Sequence, residues 1–444
     1  MPPESGVRIL FVGDMHLGRL PTQVPTAVLE QGRLVIGDLG PAAAWERIVA
    51  TAIDAEVHAV ALAGDLVEGR NAQFEAYGPL ATGVRHLTAA GITVAAVAGN
   101  HDTEVLPRLA AEIDSFRLLG RGGTWSHLDI EGTAGQRVRL AGWSFPATHH
   151  DDSPLSTAPP EPLPDGSTLG LLHADLDAAV SRYAPVSARD LRARGYQGWF
   201  LGHVHKPGET VRDGSPFYLG SVTGLDPSET GLRGPVRVDL AGGELTAVRR
   251  LPLAPLRWES CALDCTGLAD PAANLATHLL QRVRRLAVDL AGELDHCRAL
   301  GVRVTLTGEV DDPAALDQAR LALDYGSLTT VDEGTVLFVQ KVTGQAGARI
   351  DLGALAGRDD PAGLLARDIL VLEDAQDRRR DDLVAAARRA LDQVDQQSVF
   401  TPLAGGDPPT DAEIRDHLVA AGRLALARML ALGTRTEEAD HAAG

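Results

Sequence analysis

The stretch Val7–Gly18, Val-Arg-Ile-Leu-Phe-Val-Gly-Asp-Met-His-Leu-Gly, decides the reading of this chain: an apolar, β-type run stops at a glycine and then delivers Asp14 and His16. Residues two apart in extended backbone point to the same side, so this pair is expected to reach one ion just beyond the strand's carboxyl end. Open α/β sheets bind their ligands at that end. The arrangement recurs. Ala59–Ala63 runs into Gly64-Asp65, Thr93–Val97 into Gly99-Asn100-His101-Asp102, Leu169–Leu172 into His173, and Trp199–Leu201 into Gly202-His203-Val204-His205. Each of these apolar runs ends in side chains of the metal-binding type.

Helical periodicity fills the gaps between the first runs. Trp45, Ile48, Val49 and Ile53 predict a helix over Ala42–Ala55, and a second is expected over Phe74–Ala90. This β-α-β alternation implies a parallel sheet with covering helices. The stretch from Gly18 to about Pro41 has little periodicity and reads as a loop beside the site. Pro146–Asp165 holds six prolines and is expected to be irregular. Its His149-His150-Asp151-Asp152 reads as a solvated loop rather than a metal cluster, because no strand holds it in place.

Strands return at Ser167–Leu172 and Gly198–Leu201, and then at Phe217–Leu219, Val236–Leu240 and Leu245–Leu251, with Pro252 and Pro255 marking a boundary. Beyond it, Trp258–Thr266, Val302–Thr307 and Val336–Val342 predict further strands. Asp270-Pro271, Asp312-Pro313 and Asp360-Pro361 each pair an N-cap aspartate with proline at the first helical position. The expected organisation is a ligand-bearing domain over residues 1–251, a small α+β domain over 256–345, and a helical segment over 360–433 without ligand-type clusters.

The 444 residues suffice for two or three domains with full cores, and 44% hydrophobic with 23% charged residues reads as soluble and globular. No run of about 18 apolar residues predicts a membrane span. The opening Met-Pro-Pro-Glu-Ser lacks the basic and apolar regions of a signal peptide, so a cytoplasmic location is expected. Cys261, Cys265 and Cys297 are odd in number, lie away from the ligand motifs and read as buried reduced thiols. A net charge of −19 argues against a protein that coats nucleic acid over its whole surface, while leaving room for a local cationic site.

Asp14, His16, Asp65, Asn100, His173, His203 and His205 supply oxygen and nitrogen ligands and no thiolate. That mixture suits manganese or a similar first-row ion better than a closed, cysteine-rich structural zinc site. The set is too large for one catalytic ion. Two ions roughly 3.5–4 Å apart that share one carboxylate fit the count and clamp a phosphorus centre for in-line attack. Set against Asp14 and Asp65, two divalent ions leave a charge of roughly +2, which attracts an anionic phosphate. No Ser-His-Asp or Cys-His grouping competes, so the expected nucleophile is hydroxide held by the ions. His101 directly follows a ligand and is the expected general acid for the leaving oxygen, oriented by Asp102.

With its motifs in the order Asp-x-His, Gly-Asp, Gly-Asn-His-Asp, a lone His and Gly-His-x-His, the sequence resembles the calcineurin-like metallophosphoesterases. The resemblance implies a four-layer α-β-β-α sandwich with a smaller α+β capping domain and a C-terminal helical segment. It assigns Asp14, His16, Asp65 and His205 to one ion, and Asp65, Asn100, His173 and His203 to the other. His101 takes the catalytic histidine position. Tyr196–His205, the Tyr218–Gly234 run with its Gly-Ser and Glu-Thr-Gly, and Arg303–Gly308 are similar to the DNA-repair nucleases of the SbcD and YhaO group. Gly64-Asp65-Leu66-Val67-Glu68 lacks the Arg-Gly ending of protein phosphatases.

The resemblance thus implies a manganese-dependent nuclease acting at DNA ends, with an SbcC-like coiled-coil ATPase as partner and a homodimer as its assembly. A phosphodiesterase or pyrophosphatase for small nucleotides on the same metals is the main alternative, and a non-catalytic scaffold is the other. Thr410-Asp411-Ala412-Glu413 has the form of a capping box. Ile414, Leu418, Val419, Leu426, Met429 and Leu430 give the helix after it an apolar side, and Leu383, Val384, Leu391 and Val394 do so for an earlier helix. Periodicity alone favours packing on their own domain; the resemblance favours a docking arm for the ATPase.

Overall fold

Alternation along the opening run sets the layers. In this computed structural model, which describes residues 6–69, 73–178, 180–210, 213–344, 346–395 and 409–442, strand β1 (Val7–Val12) turns Ile9 and Phe11 to one face and Leu10 and Val12 to the other, all buried. A strand apolar on both faces must be covered on both. The opening Met-Pro-Pro-Glu-Ser lies outside the described residues.

After β1 come α1 (Thr26–Gly32) and a 3-10 turn at Ile36–Leu39, in the stretch expected to be a loop. At seven residues, and with Pro25 as an N-cap that makes no side-chain bond, α1 carries neither length nor cap as a signal. The expected alternation follows as α2 (Pro41–Asp54), β2 (Ala59–Leu62), α3 (Gln73–Ala89), β3 (Thr93–Ala96), α4 (Leu106–Glu112) and β4 (Phe116–Leu118). A second set comprises β5 (Trp125–Glu131), β6 (Arg137–Trp143), β7 (Ser167–His173), α5 (Ala188–Arg192), β8 (Gly198–Gly202) and β9 (Phe217–Tyr218). The hairpin β10 (Val236–Ala241) and β11 (Glu244–Arg250) then returns to the first sheet.

The sheets have strand orders β11-β10-β1-β2-β3-β4 and β5-β6-β7-β8-β9. β1 to β4 are mutually parallel, with Phe11 beside Ala61 and Ala61 beside Ala95, and β10 adds antiparallel to β1. β6, β7, β8 and β9 are also parallel, so the carboxyl ends of β7 and β8 lie together. Face to face, the sheets bury Ile9, Phe11, Ala61, Leu140, Leu171 and Phe200, and the Phe11 and Phe200 rings stack at 3.7 Å. Burying one such ring fully contributes about 1.5–3 kcal/mol. The outer face of the first sheet carries α2, α3 and α4 through Trp45, Ile48, Leu80 and Leu109. Among the described residues, the second sheet's outer face carries the short α5, a 3-10 turn at Pro154–Ser156 and irregular chain, which supply Leu191, Leu155, Ala184 and Val186. This is the layered α-β-β-α arrangement, with its fourth layer mostly non-helical.

The remaining elements are β12 (Leu256–Asp264), α6 (Pro271–Asp289), β13 (Ala299–Thr307), β14 (Glu309–Val310), α7 (Pro313–Leu321), β15 (Thr329–Asp332), β16 (Thr335–Gly344), β17 (Gly347–Ala348), α8 (Leu352–Ala356), α9 (Pro361–Glu373), α10 (Arg379–Asp395) and α11 (Asp411–Ala442). A sheet of order β12-β13-β16-β15 forms, and Trp258 and Phe338 from it pack with Val28 of α1 and with Leu34 and Leu39. The described residues fall into two compact units, one within Met1–Leu263, Ala276–Thr305 and Leu323–Thr343, the other within Asp264–Leu275, Leu306–Ala322 and Gly344–Gly444.

In the second unit the sequence signals for helix starts are realised. Asp312 accepts from the Ala315 N–H at 2.9 Å, and Asp360 from the Gly363 N–H at 2.8 Å. At α11 the Glu413 N–H donates to Thr410 Oγ1 at 3.3 Å while the Thr410 N–H donates to Glu413 Oε2 at 2.7 Å, the reciprocal capping box. Ile414 and Leu426 are buried with Leu372, Val384, Ala366 and Ile369, and Leu418, Val419 and Leu430 pack on the same clusters. Most of the apolar stripe therefore packs within its own unit; Met429, Leu424 and Leu391 stay outward. The Val394 side chain lies outside the described residues. Among the described helices, none is long and apolar enough to cross a membrane.

Candidate metal centre

The predicted ligands come from the carboxyl ends of adjacent strands. Asp14 and His16 follow β1, Asp65 follows β2, Asn100 follows β3, His173 is the last residue of β7, and His203 and His205 follow β8. Both sheets end there, so the inter-sheet core runs straight into the polar cluster. Asp14 and His173 are fully buried, and His16, Asp65 and Asn100 nearly so.

Three of these residues hold backbone that L-amino acids seldom adopt: φ is +51° at His16, +50° at Asp65 and +100° at His203. This corrects the expectation for Asp14 and His16. They do approach one another, but through a left-handed turn at His16 rather than extended backbone; the N–H groups of Met15 and His16 both donate to the Asp65 carbonyl. Strain of this kind costs of order 1–3 kcal/mol per residue and persists where surrounding structure enforces it. Two glycines make room. A Cβ on Gly64 would stand 2.7 Å from His173 Nδ1, and one on Gly202 would stand 2.2 Å from the Ala63 carbonyl oxygen.

The cluster is oriented by the hydrogen bonds on its outer side. His173 Nδ1 lies 3.0 Å from the Ala63 carbonyl, which can only accept, so Nδ1 carries the hydrogen and Nε2 faces Asn100 Oδ1 at 3.0 Å and Asp65 Oδ2 at 3.3 Å. His205 Nδ1 hydrogen-bonds Glu229 at 2.7 Å, His16 Nδ1 lies 2.6 Å from Glu68 without hydrogen-bond geometry, and the Nε2 atoms of His16 and His205 face each other at 3.0 Å. His203 is turned the other way round: Nε2 lies 3.2 Å from Asp175, and Nδ1 lies 3.2 Å from Asn100 Oδ1. The Asp14 Oδ1 atom accepts from the His203 N–H at 2.9 Å, whereas its buried Oδ2 has no hydrogen-bond partner.

Glu68, Asp175 and Glu229 were not among the residues singled out from sequence. Each places a carboxylate oxygen within 3.2 Å of an imidazole nitrogen, the arrangement of carboxylates behind metal-bound imidazoles. Only Glu68, three residues after Asp65 in Gly-Asp-Leu-Val-Glu, carried a local signal. Glu229 belongs to the Glu-Thr-Gly of the Tyr218–Gly234 run, whose structural purpose now appears. It also accepts from Ser221 Oγ and from the Leu225 N–H, each at 3.0 Å. The buried Arg233 guanidinium donates to Ser221 Oγ and to the His205 carbonyl, each at 2.5 Å.

His101 sits at the exposed rim. Its N–H donates to Asp65 Oδ1 at 2.9 Å, and its ring stands edge-on to His16 with centroids 5.4 Å apart. Asp102 does not orient it. That fully buried carboxylate instead accepts the N–H groups of Leu66 at 2.7 Å and Gly99 at 2.8 Å, tying the Asp65 turn to the Asn100 turn. Burial and the neighbouring Asp65 charge push Asp102 up to about 7, against the pull of those two donors. Burial works to lower the pKa of His173, but the Asp65 and Asp14 carboxylates outweigh it and lift the imidazole to about 9. Asp65 is held well below the usual carboxylate range by His173, His16 and His101, despite its burial.

This geometry fits cations. A cation would satisfy the orphaned Asp14 Oδ2 and the facing Nε2 atoms of His16 and His205, and at His173 Nε2 it would take the place of the proton shared with Asn100 Oδ1 and Asp65 Oδ2. Ligand atoms of Asp14, His16 and His205 lie within 4.8 Å of one another, as do those of Asp14, Asp65 and His173 and those of His16, Glu68 and His101. The His149–Asp152 loop forms no such group among the described residues.

Residues 7–207 match the family model of the calcineurin-like phosphoesterases. This part of the chain is thus similar to the calcineurin-like phosphoesterases, a family that uses a dinuclear metal site. Over 114 residues, 26% of the chain, it is 36% identical to the DNA double-strand break repair protein Mre11 of Haloferax volcanii; the match spans 23% of that protein's length. Among solved structures it is similar to TT1561 of Thermus thermophilus, with 15% identity and a TM-score of 0.32 over 55% of this chain and 99% of that one. A dimetal phosphatase from Danio rerio is similar at 15% identity and a TM-score of 0.33, over 53% of this chain and 92% of that one.

Proposed function

We propose that the protein is a two-metal phosphodiesterase that hydrolyses DNA phosphodiester bonds, the nuclease subunit of an SbcCD-like repair complex. The observation that carries the reading is the convergence of Asp14, His16, Asp65, Asn100, His173, His203 and His205 at the joined ends of two sheets, with three of the four imidazoles backed by a carboxylate. The partial match to Mre11 supports DNA as the substrate. Two divalent ions, manganese in this reading, would supply Lewis acidity and an activated water. Asp14, His16, Asp65 and His205 would hold one and Asp65, Asn100, His173 and His203 the other. His101, outside both sets, protonates the leaving oxygen. Asp102 keeps the turns bearing Asp65 and Asn100 in register.

The proposed setting is cytoplasmic, with an SbcC-like coiled-coil ATPase as partner and a homodimer as the assembly. One observation favours a different substrate: the charge of −19 is explained more simply by a small-nucleotide phosphodiesterase or pyrophosphatase on the same metals. Purified protein supplied with manganese and offered labelled DNA beside a panel of nucleotide diesters separates the two. DNA cleavage that outpaces every small diester is the expected result. Hydrolysis of small diesters alone overturns the nuclease reading and leaves the metal centre standing.

A further inference from the structure

Two clefts in the first unit adjoin at the rim of the metal centre. One, of about 210 Å³, is lined by Asn100, His101, Val105 and Thr148. The next, of about 300 Å³, is lined by Arg108, Arg121, Phe145 and Pro146. Thr103 and Glu104 line both, so the clefts form one channel leading from Asn100 and His101 to two arginines. Arg108 projects from α4. Arg121 sits in the turn Gly120-Arg121-Gly122-Gly123, where all three glycines have positive φ, and Gly123 rests against Pro146 across the channel. Both arginines are exposed, and among the described residues neither guanidinium has a hydrogen-bond or ion-pair partner. Other guanidiniums of this unit are tied down, as Arg139 is by Asp129 and Arg237 by Asp239, while Arg85 and Arg117 are, like Arg108 and Arg121, without a partner among the described residues but line neither cleft. Among the described residues, Glu104 is the one carboxylate in the lining of either cleft.

We propose that this channel is a subsite for the phosphates next to the scissile one: a single DNA strand held at the metal centre continues past His101 and Thr148 and pairs its neighbouring phosphates with Arg108 and Arg121. Guanidinium forks suit phosphate oxygens. A substrate with a single phosphodiester ends before it reaches them. The channel thus gives an acidic protein a way to prefer a strand over a nucleotide, which deepens the nuclease reading and rests on it.

The test uses the full chain with manganese, single-stranded oligodeoxynucleotides from two to ten residues, and bis(p-nitrophenyl) phosphate. For the wild type, kcat/KM is expected to climb with length over the first few nucleotides and then level. R108E/R121E is expected to lose that climb while hydrolysing the small diester within twofold of wild type, which also reports that it is folded. Each lost phosphate contact lowers the salt dependence of KM by about 0.7 in log–log slope for a single strand, so the double variant flattens it by about 1.4. R108K/R121K, which keeps the charge, restores most of the slope. An unchanged length and salt dependence in R108E/R121E overturns the subsite alone. A wild type that cleaves the small diester and no oligonucleotide removes the nuclease reading and the subsite with it.

Discussion

Each metal-facing imidazole is set by what lies behind it. Replacing His203 or His205 with alanine deletes a proposed ligand, so both variants should lose metal by elemental analysis. His101→Ala should keep both ions and slow turnover by about 10²–10⁴-fold, the usual worth of a general acid. Equal depletion in His101→Ala would show that the division between ligand and acid is wrong. His173 carries a pH dependence whose sign follows from its neighbours. Its pKa in the fold, about 9, stands above the ordinary imidazole value of 6.5. Its protonated form therefore contributes stability that is complete below pH 6.5 and is lost as pH rises through about 9. In chelator, Tm should decline over that window. With manganese, which binds the neutral imidazole and must displace the proton, the stabilisation by metal should grow across the same window. A flat response in both conditions would refute the role given to the Asp65–His173 pair.

Among the elements, α11 shows how one apolar stripe divides. Ile414 and Leu426 are enclosed by α9 and α10 side chains, and Arg423 ties α11 to Glu373 at 2.8 Å and also pairs with Glu309. Leu426→Ala should lower stability by about 2–5 kcal/mol, read by denaturant unfolding. Deleting residues 408–444 would expose the same core, so loss of partner binding in that truncation would not by itself reveal docking. Leu424 and Met429 are 55% and 43% exposed and offer the sharper test. L424E/M429E should leave Tm within a degree or two of wild type, and, on the docking proposal, should abolish co-purification with the coiled-coil ATPase. Retention of the partner by this folded variant would move the docking surface elsewhere.

For the whole molecule, the opposing signs of global and local charge decide how DNA is met. A chain of net charge −19 repels a polyanion except where, on the proposed function, two divalent ions and the Arg108–Arg121 channel would reverse the field. Affinity for DNA should be weak, should fall steeply between 50 and roughly 200 mM salt, and should drop further in chelator, as followed by fluorescence anisotropy. Tight binding that ignores both salt and chelator would contradict a site built on local cationic charge.

What the chain determined by itself was the placement of chemistry. Strand ends were legible because apolar runs stop at glycines, and the ligand types that follow, Asp14 through His205, exist for little else at that spacing. Helix starts at Asp312, Asp360 and Thr410 were legible because a cap is a local bond between residues three apart. Tertiary structure decided what depends on partners distant in sequence. Glu229 is recognisable as the anchor of His205 only once the chain between β9 and β10 brings it within 2.7 Å of the imidazole, and Asp102 turns from His101 to the backbone of Leu66 because the β2 and β3 turns meet. The left-handed turn at His16 likewise follows from the Asp65 carbonyl that captures its N–H. Periodicity could mark the apolar stripe of α11 but not its cover, since a stripe is the same pattern whether α9, α10 or another protein lies against it.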